Sequence, residues 1–317
     1  MKYRKLGSTG LKVSEISFGS WMTYGHTVGE DIGAKLIDKA FELGINFIDT
    51  ANVYERGEAE KMLGDVLPRY PRESYVLATK AFWPMGDGPN DRGLSRKHVT
   101  EQLNASLKRL KQDYVDIFYC HRYDPETPLH ETLRTIEDFV RQGKVLYVGV
   151  SEWTGAQIQE AMQVADKYLL DRIVVNQPQY NMFYRNIESD VLPVSEKNGI
   201  SQVVFSPLAQ GALTGKYRLG QQLPLGSRAT DPKTNMWIKG FLTESHLRKV
   251  DQLDGIAKEL GLSLSSLALA WILRHDSVAS ALVGATKVSQ LEENAKASGI
   301  VLPQEALDRI EEILVRP

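Results

Sequence analysis

The chain is short of several things, and each shortage removes a class of function. It has a single cysteine, Cys120, among 317 residues. No intramolecular disulfide and no cysteine-rich zinc site can form, which suits a reducing compartment. No apolar run approaches the roughly 18 residues that a membrane span needs, so no membrane insertion is expected. The start, Met-Lys-Tyr-Arg-Lys-Leu-Gly, has basic residues but neither an apolar h-region nor a small-residue cleavage site, and a cytoplasmic protein is expected. Net charge is only −2, which argues against a broad nucleic-acid footprint. There is also no Gly-x-Gly-x-x-Gly string, the usual mark of a nucleotide held on an open doubly wound sheet.

What is present is an alternation. Short β-branched or aromatic runs recur at Glu15–Phe18, Asn46–Thr50, Tyr75–Lys80, Val115–Cys120, Val145–Val150, Ile173–Asn176, Gln202–Phe205 and Ala279–Val283. Between them lie helical patterns. Lys97 to Leu110 puts Val99, Leu103, Leu107 and Leu110 on one stripe, and Thr132 to Val140 does the same with Leu133, Ile136 and Val140. Eight strand-helix repeats without a Pro/Gly/Ser-rich linker predict one α/β domain spanning residues 1–317, a (β/α)₈ TIM barrel. An open doubly wound sheet is the competing architecture. Two additions are expected: a β-hairpin over Tyr3 to Val13, turning at Gly7-Ser8-Thr9-Gly10 and plugging the bottom, and a long aperiodic segment after the seventh strand, Leu208 to Leu242. Gly211, Gly215, Gly220 and Gly226 in that segment permit close backbone approach to a ligand.

Barrel chemistry sits at the carboxyl ends of the strands. Asp49, Lys80 and His121 end the second, third and fourth, and Tyr54 follows Asp49 in the loop. Alternation puts Phe47 and Asp49 on one face, likewise Ala78 and Lys80, and Tyr119 and His121. A lysine at the mouth needs a partner, and Asp49 is the natural one. The ammonium is expected to lower the Tyr54 phenol pKa and make it a proton donor, with His121 giving a second hydrogen bond to the same oxygen. Each residue alone has an ordinary structural reading; four at adjacent strand ends do not. Cys120 adjoins His121, but alternation turns the two apart, and Cys120 reads as packing. Gly211 to Tyr217 has one residue too few for a phosphate loop and no Ser or Thr after Lys216.

The strings Gly44-Ile45-Asn46-Phe47-Ile48-Asp49-Thr50-Ala51-Asn52-Val53-Tyr54, Ala78-Thr79-Lys80 and Asp113 through His121 resemble the signatures of the aldo-keto reductase superfamily. His121-Arg122-Tyr123-Asp124-Pro125, Gly149-Val150-Ser151-Glu152-Trp153, Asn181-Met182-Phe183, Ser206-Pro207-Leu208-Ala209 and Gly215-Lys216-Tyr217 resemble the branch that holds the voltage-gated potassium channel β subunits and their microbial enzyme relatives. The resemblance implies NADPH-dependent carbonyl reduction, cofactor binding first, with Asp49, Tyr54, Lys80 and His121 as the catalytic tetrad.

It also implies the cofactor contacts. Gly19, Ser20, Trp21 and Asp49 fall at the nicotinamide end, Ser151 and Gln177 at the carboxamide, and Phe205 under the ring. Ser206, Leu208, Gly211, Lys216 and Arg228 match the pyrophosphate loop, which makes Leu208 to Leu242 a cofactor clasp. Gly284, Thr286, Gln290, Glu293 and Asn294 match the adenosine pocket, with N–H groups near Thr286 and Lys287 for a 2′-phosphate. Two residues depart from the pattern. Gln290 stands where many members carry arginine, which weakens NADPH over NADH and leaves NADH open. Glu152 stands where many carry asparagine, and is expected to face solvent or an arginine.

Trp21, Tyr54, Trp83 and His121 are the expected substrate contacts, with Tyr24 and Phe82 as further aromatics of the same loops. Arg122 offers an anchor for phosphorylated or carboxylated substrates, and the sequence does not choose. Three functions stay open: a reductase, a channel β-subunit-like regulatory protein holding NADPH as a structural or sensing ligand, and a sugar or polyol dehydrogenase running mainly in the oxidative direction. His121 favours the first, since the channel subunits carry asparagine there, and no long amino-terminal extension of the channel-plugging kind is seen. A small carbonyl compound is the expected partner; a homo-oligomer is left open, and no metal is expected.

Overall fold

The computed structural model describes residues 1–21 and 28–315. Ten strands fall into a hairpin and a barrel. The hairpin pairs β1 (Tyr3–Lys5) with β2 (Lys12–Ser14) in the register Arg4 opposite Val13. The barrel strands are β3 (Ile16–Gly19), β4 (Phe47–Asp49), β5 (Val76–Ala81), β6 (Val115–Cys120), β7 (Val145–Ser151), β8 (Ile173–Gln177), β9 (Ser201–Val204) and β10 (Val278–Val283). All pair in parallel, and β10 closes the circle on both β9 and β3. The helices are α1 (Glu30–Glu42), α2 (Glu58–Val66), α3 (Arg96–Leu110), α4 (Leu129–Arg141), α5 (Gly155–Tyr168), α6 (Val191–Asn198), α7 (Glu244–Glu259), α8 (Leu264–Ile272), α9 (Val288–Ala295) and α10 (Gln304–Val315). This is the expected (β/α)₈ barrel with its hairpin.

Strand alternation splits the core in two. Ile48, Leu77, Phe118 and Val150 face outward, into the layer shared with the helices. Phe47, Val76, Ala78, Ile117, Tyr119, Val175, Val203 and Ala279 fill the barrel, and the hairpin contributes Leu6 and Val13 to that inner cluster. The hairpin is therefore the floor. Its turn is pinned to the amino ends of the strands by Gly7 N–H to Ser201 Oγ (2.7 Å) and Ser8 N–H to Gly199 O (2.8 Å). Gly7 has φ of +57°, and a Cβ there would fall 2.5 Å from Val174 O, so only glycine fits. Arg4 donates to the carbonyls of Leu273, His275 and Val278 and pairs with Glu15, tying the floor to the segment that leads into β10.

Boundaries moved where local chemistry overrode periodicity. The helix expected from Lys97 starts at Arg96 because Ser95 Oγ caps it, accepting from His98 N–H at 3.3 Å. The strand expected to reach Phe205 ends at Val204, and Phe205 makes an isolated bridge with Gln179. The segment after β9 is a chain of short 3₁₀ turns, at Ala209–Thr214, Arg228–Thr230, Asn235–Trp237 and Lys239–Phe241. Among the described residues no single helix is long and apolar enough to cross a membrane.

Inside the barrel Gly149 of β7 makes room for a neighbour: a Cβ would lie 2.5 Å from Tyr119 Cδ1. Tyr119 has no solvent exposure into which to retreat. Gly149→Ala should therefore destabilise the fold by about 1–3 kcal/mol through overpacking, read as a lower urea midpoint. In a Tyr119→Leu background the same change should be milder; an equal loss in both backgrounds would show that this contact is not the cause.

Candidate active site at the barrel mouth

The four expected strand-end residues lie together. Asp49 and Lys80, both without solvent exposure, form an ion pair between adjacent strands. Lys80 Nζ also donates to Thr50 O at 2.8 Å and to the Tyr54 hydroxyl at 3.3 Å. Gln177 Nε2, from β8, donates to the other Asp49 oxygen at 2.9 Å. Tyr54 reaches this point through a tight turn: Thr50 N–H bonds Ala78 O, Asn52 N–H bonds Lys80 O, and Tyr54 N–H bonds Ala51 O. The turn continues through Glu55 and Arg56, both left-handed at φ 46° and 54°. That backbone is costly for side-chain-bearing residues and typical of functional loops. His121 follows β6, its ring edge-on to Tyr54 with centroids 5.8 Å apart.

Electrostatics correct one expectation. Lys80 was expected to lower the Tyr54 pKa. Instead burial raises it well above the ordinary phenol value, the Asp49 carboxylate raises it further, and the cation that opposes this is Arg122. Tyr54 is therefore a phenol that keeps its proton near neutral pH. Burial also lowers the Lys80 pKa, with the Asp49 contact holding it partly up. His121 is held well below the usual imidazole range by burial and by the charges of Lys80 and Arg122. It is neutral, and its Nδ1 is buried without a hydrogen-bond partner.

The other expected contacts divide. Ser151 Oγ donates to Gln177 O at 2.8 Å, so Ser151 and Gln177 form one unit, though the Gln177 amide nitrogen is committed to Asp49. Ser20 is buried, its hydroxyl donating to Thr50 Oγ1 at 2.8 Å, and braces the end of β4 rather than opening to the mouth. Gly19 packs against Leu282, 3.1 Å from where a Cβ would stand. Trp83 is exposed beside His121, ring centroids 6.3 Å apart, and Phe82 packs edge-on to Trp83. Trp21 meets Trp237 edge-on at 5.5 Å, joining the loop after β3 to the long segment after β9. Tyr24 lies outside the described residues. Glu152, left-handed at φ 58°, accepts from Gln179 N–H and faces Arg122 without forming an ion pair.

Phe205, Ser206 and Leu208 are half-buried where β9 ends. Ser206, Ala209, Gln210 and Gly211 all have positive φ, and Asn181 Nδ2 holds the Ser206 carbonyl at 3.0 Å. The turn is closed on itself by Ala209 N–H to Ser206 O (3.0 Å) and Gly211 N–H to Leu208 O (2.8 Å). Two cations attend it. Lys216 Nζ lies 3.5 Å from the position of a Gly211 Cβ, and Arg228 Nη1 donates to the Gln210 side chain. Among the described residues neither has a carboxylate at ion-pair distance, and the Ser227 hydroxyl is buried without a partner. Two cations without an ion pair, Arg228 being only partly offset by the field of Asp231, fit a pyrophosphate beside an unpartnered hydroxyl.

The adenosine-end residues are less open than expected. Gln290 Oε1 accepts from both Thr286 N–H (2.9 Å) and Thr286 Oγ1 (3.2 Å), so the amide expected for a 2′-phosphate is engaged by the chain's own side chain. Glu293 bonds Ser266 of α8 and Lys296, and Asn294 is buried; Gly284 and Lys287 are exposed. Sequence reasoning missed Trp237 and the bracing roles of Gln210 and Asn181. Asn181-Met182-Phe183 carried a signal as a motif. Trp237 carried none, sitting in an aperiodic stretch whose partners are distant in sequence.

Comparison with known proteins gives a family and a set of named relatives. The model of the Aldo/keto reductase family matches residues 15–315. A protein of Arabidopsis thaliana named "Probable voltage-gated potassium channel subunit beta" is 43% identical over 99% of this chain and 97% of its own length. A rice protein (Oryza sativa subsp. japonica) of the same name is 42% identical with the same coverage.

The depressed imidazole has a pH consequence. In the folded chain His121 binds fewer protons than in the unfolded chain, so its contribution to stability is complete above about pH 6.5 and is lost as pH falls below that toward the folded-state value. His121→Asn should flatten this acid-side slope in urea melts run between pH 7.5 and 5. An unchanged slope would mean that His121 is not held neutral.

Proposed function

The chain belongs to the aldo/keto reductase family, and we propose on that premise that it is an NADPH-dependent reductase of aldehydes or ketones, acting as one domain over residues 1–317. The observation that carries this reading is Lys80 Nζ bonded at once to Asp49 and to the Tyr54 hydroxyl, with a neutral His121 alongside. NADPH, when bound, supplies the hydride. Lys216, Arg228 and the left-handed turn at Ser206 to Gly211 hold its pyrophosphate, Phe205 offers the ring a stacking face, and Ser151 with Gln177 orients the carboxamide.

The residues around the reacting oxygen have separable tasks. Tyr54 enters as a protonated phenol and gives its proton to the oxygen as negative charge gathers there. Lys80 stays charged beside it and favours the phenolate that remains. Asp49 keeps Lys80 in place and ionised. His121 gives a hydrogen bond to the same oxygen without adding another cation next to Lys80 and Arg122, aiming stabilisation at the charge that develops. Trp21, Trp83 and the Tyr54 ring provide apolar walls. The same site serves alcohol oxidation, so the cellular cofactor ratio sets the direction. The buried, free Cys120 accords with a cytoplasmic setting.

A second reading comes from the relatives' names: a regulatory subunit in which the nucleotide is a structural or sensing ligand. His121 weighs against it. Single-turnover hydride transfer to a panel of aldehydes decides between them, since a sensing protein should show none within hours.

Tyr54→Phe should lower kcat for carbonyl reduction by about 10²–10⁴-fold, with NADPH affinity, read by fluorescence titration, unchanged. Reduction at the wild-type rate would remove Tyr54 from its role. Because Gln290 engages Thr286 and brings no charge, NADPH and NADH should bind within about tenfold of each other. Gln290→Arg should favour NADPH by restoring a charge-assisted contact to the 2′-phosphate, and an unaltered affinity ratio would place that contact elsewhere.

A further inference from the structure

One cation at the mouth is used by neither the ion pair nor the pyrophosphate groove. Arg122 follows His121 and is half-buried. Its Nη1 donates to the His121 carbonyl and lies 3.3 Å from Ser151 Oγ, and its guanidinium carbon sits 5.5 Å from the Trp83 ring centroid. It stands among His121, Ser151, Trp83 and Tyr54, the residues that surround the reacting carbonyl on the proposed reading. Its charge reaches the active site, lowering the pKa values of Tyr54, Lys80 and His121.

Among the described residues no carboxylate pairs with it at contact distance. Glu152 faces it but is held by the Gln179 N–H and makes no ion pair with it. Nη1 alone makes protein hydrogen bonds among the described residues, so the N–H groups of Nη2 and Nε remain for a ligand. Desolvating a guanidinium without pairing it is unfavourable, and an arrangement that does so beside a reactive centre is completed by an anionic ligand. The Trp83 ring limits where the guanidinium can swing and gives a substrate an apolar wall up to the charge.

We propose that Arg122 is the specificity anchor of this site and that its substrates are oxo acids, carbonyl compounds carrying a carboxylate that the guanidinium fork grips while Tyr54 and His121 hold the carbonyl oxygen. A carboxylate is favoured over a phosphate because the fork matches two planar oxygens. A phosphate dianion would call for a second free cation, and Lys80 is committed to Asp49. The inference rests on the reductase reading for its carbonyl but not for its carboxylate, and the two can be tested apart.

The test pairs each acid with its neutral methyl ester: glyoxylate, 4-oxobutanoate and 5-oxopentanoate, with 3-phosphoglyceraldehyde as the phosphate arm. In the wild type, kcat/KM for at least one acid should exceed that of its ester and of the phosphate by about 10- to 100-fold, the range expected of a charge-assisted pair. In Arg122→Leu the acid-to-ester ratio should collapse toward one, chiefly through KM, and Arg122→Lys should recover part of it. Equilibrium binding of butanoate to the NADPH complex, by calorimetry, gives a readout without turnover and should weaken by a similar factor in Arg122→Leu. If acid and ester fall together in the variant, Arg122 merely positions Ser151 and the anchor is overturned. A phosphate preferred over every acid overturns it as well. Ester reduction without acid preference or butanoate binding keeps the reductase and removes the anchor. Butanoate binding that depends on Arg122, with no carbonyl reduced, keeps the anchor and removes the reductase.

Discussion

The mouth of this barrel depends on one buried ion pair. Burying Lys80 and Asp49 strips water from two charges, a penalty of several kcal/mol per ion that contact alone does not recover unless every remaining donor and acceptor is also used. Here they are used. The three Lys80 protons meet Asp49, the Thr50 carbonyl and the Tyr54 hydroxyl, and the second Asp49 oxygen receives Gln177. The result is a cross-brace over β4, β5 and β8 that ends on the Tyr54 hydroxyl, the proton donor on the proposed reading. Removing either charge would leave the other buried alone, so stability and chemistry share the same atoms.

Strain is distributed as that division suggests. Among the described residues, side-chain-bearing positions with left-handed backbone occur at Glu55, Arg56, Glu152, Ser206, Ala209 and Gln210, all in loops that follow the carboxyl ends of strands. Lys111 and Leu169 share the conformation but merely terminate α3 and α5. At the opposite end of the barrel the hairpin is held by Arg4, Gly7 and Ser8 through backbone carbonyls and well-matched hydrogen bonds. One end of the barrel is closed by matched hydrogen bonds, and the left-handed positions gather at the other, the end at which this fold carries its ligand sites.

What could be read in advance follows from the range of the forces concerned. Val115–Cys120 was legible to the residue because the run is buried throughout, with Ile117 and Tyr119 in the inner cluster and Phe118 and Cys120 in the outer one. The strand around Asp49 was overdrawn, since Asn46 and Thr50 have strand-like neighbours but side-chain and turn bonds of their own. The convergence of Asp49, Lys80 and His121 was legible from strand parity, but not the sign of the field at Tyr54: sequence shows that a cation is near without showing that Asp49 absorbs it. Gln290 was legible as an absence of charge; that it folds back onto Thr286 was not. The long segment after β9 gave no pattern because its structure comes from aperiodic side-chain contacts, Trp237 on the distant Trp21 and Arg228 on Gln210 within the segment itself.

These separations bear on how one scaffold can serve both a reductase and proteins named as channel subunits. The cations assigned to the pyrophosphate, Lys216 and Arg228, stand on the loop after β9, whereas Asp49, Tyr54, Lys80 and His121 come from β4, β5, β6 and the loops that follow. Among the described residues no hydrogen bond or ion pair joins the two sets. On the proposed reading the pyrophosphate cations thus share no direct bond with the proton-transfer residues, whereas Gln177, assigned to the carboxamide, bonds Asp49 and joins the nicotinamide end to them. The neutral imidazole of His121 has a narrower task. It can give a hydrogen bond to a developing alkoxide where a protonated ring would be repelled by Lys80 and Arg122. On the proposed reading, a residue at that position that binds less well to such an oxygen would slow the chemistry while Lys216 and Arg228 keep their places in the groove.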